Sequence, residues 1–156
     1  MTAQPLLKIL EKLYKLHKSL HQLALEKTEV LKKGDMEALK NLMQNEQSHI
    51  SAIQVIEKER VKIISDLVSR QPNPTLSDCL PLFDASDKEK VSELQDKLTN
   101  QLLDLKTVNE LNQQLLEQSL QLVSLNIDLI RPQSPSNYSK DEEEEMPNLT
   151  IFDSKA

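Results

Sequence analysis

What most constrains this chain is where it has no helix breakers. Its seven prolines stand at 5, 72, 74, 81, 132, 135 and 147 and its single glycine is Gly34, so windows of roughly 6–71 and 82–131 contain no proline. Proline lacks a backbone N–H and clashes with the preceding turn, which makes it the residue a helix interior tolerates least. Windows this long, with aliphatic residues recurring at helical spacing, predict long helices and an all-α fold.

The first helix is expected over about 5–33, with a seam of Leu6, Ile9, Leu13, Leu16, Leu20, Leu23 and Val30, widened by Leu10, Ala24 and Leu31. Pro5 suits a first turn, where a missing N–H costs nothing. Lys32 and Lys33 complement the negative end of the helix dipole, and Gly34 reads as the left-handed residue that closes it. Asp35 follows at once as an N-cap, so the turn is very short and the next helix, about 36–70, should lie antiparallel to the first. Its seam comprises Leu39, Leu42, Met43, Ile50, Ile53, Ile56, Ile63, Ile64, Leu67 and Val68. Glu46, His49 and Arg60 interrupt it; polar seam residues fix register or reach past the neighbouring helix to water.

The prolines of QPNPT end the second helix by pushing the residues before them out of the helical region. In the connector 71–85, LSDCLPLF predicts one helical turn that packs Leu76, Leu80 and Phe83 against the end of the bundle. Asp84 or Ser86 then caps a third long helix, about 86–131, which starts with a seam of Val91, Leu94, Leu98, Leu102, Leu105 and Val108. From about Asn109 the pattern changes. One heptad row continues as Asn112, Ser119 and Asn126, while neighbouring rows hold Leu115, Leu122, Leu129 and Leu116, Val123, Ile130. The stretch is aliphatic on nearly every side, which in a water-exposed chain means full burial or a face offered to a partner.

The architecture expected is an elongated up-down-up antiparallel bundle of three long helices with coiled-coil-like packing over 1–131, followed by a disordered acidic tail, 132–156. At 1.5 Å per residue the helices would span ~43, ~52 and ~66 Å, so the last turns of the third lack a full set of neighbours. With 38% apolar residues, 3% aromatics and no Trp, the core must be thin and aliphatic. The tail carries an acidic run, Asp141 to Glu145, and a small apolar cluster, Leu149, Ile151 and Phe152.

Composition narrows the function. A net charge of −6 and the lack of a basic patch with interleaved aromatics argue against nucleic acid. No run approaches a membrane span and the N-terminus has no secretory pattern, so the expectation is a cytoplasmic protein without membrane insertion. Cys79, alone, cannot form an intramolecular disulfide and reads as a small half-buried apolar residue. His17 and His21 share one helical face at a zinc-compatible spacing, but Lys18 stands between them and no third ligand is evident. One glycine cannot build a phosphate loop, and the carboxylates lie among lysines on helix surfaces, as in EKER at 57–60. Neither catalysis, nor a metal, nor a cofactor is expected.

Several segments together resemble the FlgN-type flagellar export chaperones of type III secretion, over roughly residues 6–131: the Leu/Glu-rich first helix, the turn KKGDMEALKNL at 32–42, the end of the second helix, EKERVKIISDL, and NELNQQLLEQSLQLVSLNIDLI at 109–130. The resemblance implies a small acidic cytosolic protein that binds hook-filament junction subunits before export and leaves contact with export-apparatus components open; the chain itself is expected to be a monomer or weak homodimer. It places the binding region on the C-terminal helix, at Asn109, Asn112, Leu115, Leu116, Ser119, Leu122 and Val123. The residues themselves add Asn126 and Ile130, which continue the polar row and one apolar row. Leu115, Leu122 and Val123 would anchor an amphipathic segment, and Asn112, Ser119 and Asn126 would set its register. The same rows serve equally as the seam of a closed bundle, or of a coiled-coil oligomeric scaffold or regulatory interaction protein with no export role.

Overall fold

The structure, a computed structural model, describes residues 2–130. They form three long helices and a short helical connector: α1 (Gln4–Lys33), α2 (Met36–Leu67), α3 (Leu76–Cys79), a 3-10 turn (Leu80–Leu82) and α4 (Ala85–Ile130), with no strand among the described residues. The acidic tail expected over 132–156 lies outside the described residues.

Local chemistry sets the helix ends. Gly34 adopts φ 70°, ψ 24°, and its N–H closes α1 on the carbonyls of Val30 and Leu31. The positive φ is what demands glycine, since a Cβ there would meet nothing within 4 Å. Asp35 caps α2 by accepting from the Ala38 N–H at 3.1 Å. Asp84, rather than Ser86, caps α4: its carboxylate accepts from the Asp87 N–H at 2.8 Å. α2 stops at Leu67, short of the expected 70. Val68 leaves the helical region at φ −118°, ψ 63°, so the chain turns before it reaches Pro72. In the connector, the Asp78 carboxylate accepts from both the N–H and the hydroxyl of Thr75, at 2.7 and 2.8 Å, which holds its pKa below the usual range.

The chain divides into two compact units, one ending at Asn112 and the other beginning at Gln113, with α4 passing through the boundary. In the first unit the main core joins Leu6, Leu7, Ile9, Leu10 and Leu13 of α1 to Ile64 of α2, to Leu76, Cys79 and Phe83 of the connector region, and to Val91 and Leu98 of α4. The connector therefore packs as its sequence foretold, except that Leu80 is half-buried and Cys79 is buried completely. A smaller cluster, Leu20, Ala24 and Leu105, continues the core. Each fully buried Leu or Ile contributes on the order of 2 kcal/mol, so the first cluster dominates stability.

Farther along the same helices the interior turns polar. Lys27 and Glu46, both buried, form an ion pair at 3.2 Å. Beside Lys27, the Thr28 hydroxyl donates to Asn112 Oδ1 at 2.5 Å, and Asn112 Nδ2 donates to the Ala24 carbonyl at 2.8 Å. Glu46 thus does not reach past its neighbour to water: it is the buried partner of a lysine at a heptad position of α1, continuing Leu6, Leu13 and Leu20. Arg60 instead pairs with Glu57 on its own helix. Three hydrogen bonds fix the register of α4 against α1: Ala3 N–H to Asp87 and Thr28 to Asn112, both with a sequence separation of 84, and Asn112 to the Ala24 carbonyl, with a separation of 88.

Candidate functional site

The features of the first unit that resemble chemistry are engaged in holding the fold. His17 Nδ1–H donates to the Leu13 carbonyl at 2.8 Å. His49 Nδ1–H donates to the Asn45 carbonyl at 2.8 Å, and its Nε2 forms a hydrogen bond of 2.8 Å with the Ser19 hydroxyl, which ties α2 to α1. Burial pushes the Glu46 carboxyl upward against the pull of Lys27, and the Lys27 ammonium downward against the pull of Glu46. Burial, and then the neighbouring Asp78, raise the Cys79 thiol, which disfavours the reactive thiolate. Among the described residues no three His, Cys, Asp or Glu are placed to hold a metal. A groove of about 350 Å³ on α2, lined by Met36, Leu39, Lys40, Met43, Gln44 and Gln47, has one charged group, Lys40, and no acid to pair with it.

The second half of α4 differs in kind. The heptad row that carries Val91, Leu98, Leu105 and Asn112 is buried through Asn112, and then Ser119 and Asn126 are exposed. Leu115 and Leu116 are half-buried, and every residue over 117–129 is exposed. This includes large apolar side chains: Leu122 is 61% exposed, Val123 55%, Leu125 60% and Leu129 83%. An amphipathic surface helix would turn such residues inward, so this concentration marks an unsatisfied apolar surface.

The sequence-predicted site residues are divided by this geometry. Leu115, Leu116, Ser119, Leu122, Val123 and Asn126 share the half-exposed or exposed part of α4. Asn112, expected to set the register of a bound segment, is 2% exposed and spends both halves of its amide on α1, so it sets register within the first unit instead. Asn109 is half-buried, and its Oδ1 is buried without a hydrogen-bond partner. The side chain of Ile130 lies outside the described residues. Leu120, Leu125, Ile127 and Leu129 are exposed apolar residues beyond the predicted set; of these, Leu129 continues the row of Leu115 and Leu122.

The family model described as FlgN protein matches residues 1–145, nearly the whole chain. The chain belongs to the FlgN family, the flagellar export chaperones. The match extends beyond Pro132 through the acidic run, past the region in which the sequence alone carries the resemblance. This FlgN-family chain is also 38% identical to a Bacillus subtilis (strain 168) protein described as "Uncharacterized protein YvyG", over the full length of both. No solved structure matches it. No helix among the described residues is long and apolar enough to cross a membrane.

Proposed function

We propose that this chain is a cytoplasmic, non-enzymatic export chaperone that binds the amphipathic, unassembled terminal segment of flagellar hook-filament junction subunits through the second half of α4. The observation that carries the reading is the exposure of Leu122, Val123, Leu125, Ile127 and Leu129 on a helix whose first half is packed in a core. Family membership supports a flagellar protein as the cargo. Unassembled subunits present apolar stripes that aggregate or polymerise early, and an aliphatic helix face takes such a stripe as an added helix. Leu115, Leu122 and Val123 anchor it, with Leu116 and Ile130 in the adjoining row and Asn109 at its base.

The bundle that displays this face is read as up-down-up. As α1 runs from Ser19 to Lys27 its α2 partners fall from His49 to Glu46, and from Ala3 to Thr28 its α4 partners rise from Asp87 to Asn112, which supports helices running antiparallel and then parallel to the first. Ordering the cargo segment costs free energy, so affinities are micromolar or somewhat tighter and release is easy, as a carrier requires.

Leu122→Asp with Val123→Asp tests the assignment. The double change abolishes binding of junction subunits in calorimetric titration while far-ultraviolet circular dichroism stays helical; undiminished binding would remove α4 as the site. Sedimentation equilibrium separates this reading from a scaffold, because a tight homodimer that excludes junction-subunit peptides belongs to the latter. Deleting 133–156 leaves the fold intact and cargo affinity unchanged or raised; a large loss would assign the tail to the site.

A further inference from the structure

One heptad row joins the packed half of α4 to its exposed half, and the last buried member shows what a neighbouring helix must offer the polar part of that row. Asn112 is matched by two α1 residues four apart on one helical face, Ala24 and Thr28. Ala24, almost fully buried, is small enough for the amide to reach the helix backbone and donate to its carbonyl at 2.8 Å. Thr28 turns its hydroxyl to the amide oxygen, at 2.5 Å, and lies 3.2 Å from the same carbonyl. A small residue followed four positions later by a hydroxyl thus satisfies both halves of an asparagine side chain within an otherwise aliphatic seam.

We propose that Asn126, two heptads farther along the same row, reads the same pattern in the cargo: an amphipathic helix whose contact face carries a small residue and, four positions on, Thr or Ser, set among Leu, Ile and Val. This rests on the reading of α4 as the cargo-binding helix and names the chemistry of what it binds. The candidate surface continues an interface that already exists, since Val91, Leu98, Leu105 and Asn112 of this row are buried against the rest of their unit. At the intervening position the Ser119 hydroxyl already donates to the Leu115 carbonyl at 2.9 Å, so this small side chain lets a helix pass close by. The Asn126 side chain is exposed and makes no hydrogen bond among the described residues. Leu122 and Leu129 on one side, and Val123 and Ile127 on the other, supply the aliphatic flanks.

Charge supports the same occupant. Residues 107–130 include no Lys or Arg. Their acids, Glu110, Glu117 and Asp128, are spaced seven and eleven residues apart and so share the side of the helix opposite the Asn112–Ser119–Asn126 row. The contact face is uncharged, and its occupant needs no charged residue on its own contact face. An all-leucine amphipathic helix would bury the Asn126 amide unmatched, and this penalty is how a polar seam residue rejects partners of the wrong pattern.

The test uses the full chain and three synthetic amphipathic peptides of about 20 residues, long enough to form helix on binding. They are identical except at two central positions four apart: Ala and Thr, Ala and Val, or Leu and Leu. Fluorescence anisotropy titrations at low and high salt should place the Ala/Thr peptide about tenfold or more tighter than Leu/Leu, with Ala/Val between and little change with salt. Asn126→Leu, on an exposed position, should reverse the order. Equal binding of all three peptides, or an order unaltered by Asn126→Leu, overturns the inference, as does self-association that excludes every peptide. If the peptides bind equally but Leu122→Asp with Val123→Asp abolishes them all, the cargo-binding reading of α4 stands and only the pattern falls; if that double variant binds them like the unaltered chain, both fall.

Discussion

The two halves of α4 are one uninterrupted helix with one heptad register, yet they have opposite surroundings. Before Asn112 the row is aliphatic and buried; after it the row is polar and its aliphatic neighbours are exposed. Helix formation and burial are therefore separate achievements of the sequence: backbone propensity and the absence of Pro carry the helix across the boundary, while the choice of seam residue decides where packing within the unit ends. The difference also assigns tasks. A leucine of the buried row, such as Leu98 or Leu105, belongs to stability, and an exposed leucine over 117–129 is available for a partner.

The comparison breaks first at the polar layer. Lys27→Met leaves Glu46 buried without its ion-pair partner and should cost about 3–5 kcal/mol in urea denaturation, whereas Lys27→Met with Glu46→Leu should return to the stability of the unaltered chain or exceed it by about 1–4 kcal/mol. A single variant no less stable than the double would show that the pair does not end the core. Next, Leu105→Ala, inside the smaller cluster, should cost about 2–5 kcal/mol by the same measurement; a negligible change would mean that the first half of α4 is not held there.

A smaller effect follows pH. Burial raises the Glu46 pKa above 4.5, so the folded chain binds that proton more tightly than the unfolded chain does. Its contribution to stability is complete below the ordinary value and is lost as pH rises through the folded one. The urea midpoint of the unaltered chain, measured against the Lys27→Met, Glu46→Leu double variant, should accordingly fall from acid to neutral pH; a constant difference would place Glu46 in water. Last, Leu129→Ala in the exposed half should change stability by no more than about 0.5 kcal/mol, and a cost like that of Leu105→Ala would erase the distinction between the halves.

Much of this was legible in the sequence because the signals are local. Pro5, Gly34 and Asp35 mark helix ends through single-residue backbone chemistry, whereas α2 stops at Leu67 before Pro72 and Pro74 can end it, and the change from Leu105 to Asn112, Ser119 and Asn126 marks where the seam turns polar. Lys27 was not legible: among the charged residues of LEKTEV it reads as a surface lysine, and only the approach of Glu46, 19 positions away, makes it an interior residue. Nor could Asn112 be separated from Ser119 and Asn126, since the three share one row and only the presence of Thr28 and Ala24 distinguishes the first. Exposure of the aliphatic rows over 117–129 was open as well, because periodicity states which residues share a side and not what stands opposite.

The two-residue turn at Gly34 and Asp35 also bears on how the chain acquires its structure. It brings α1 and α2 together by closing a minimal loop, with contacts between residues such as Lys27 and Glu46 that are near in sequence, whereas α4 must join α1 across separations of 84 residues. Short loops close at lower entropic cost and in less time, so the α1–α2 hairpin is expected to form first and α4 to dock onto it as a late, nonlocal step, after the ribosome has released most of the chain. Stopped-flow refolding checks the order: Asp35→Ala should slow folding, and Thr28→Val should chiefly quicken unfolding; the reverse pattern would place the docking of α4 at the start.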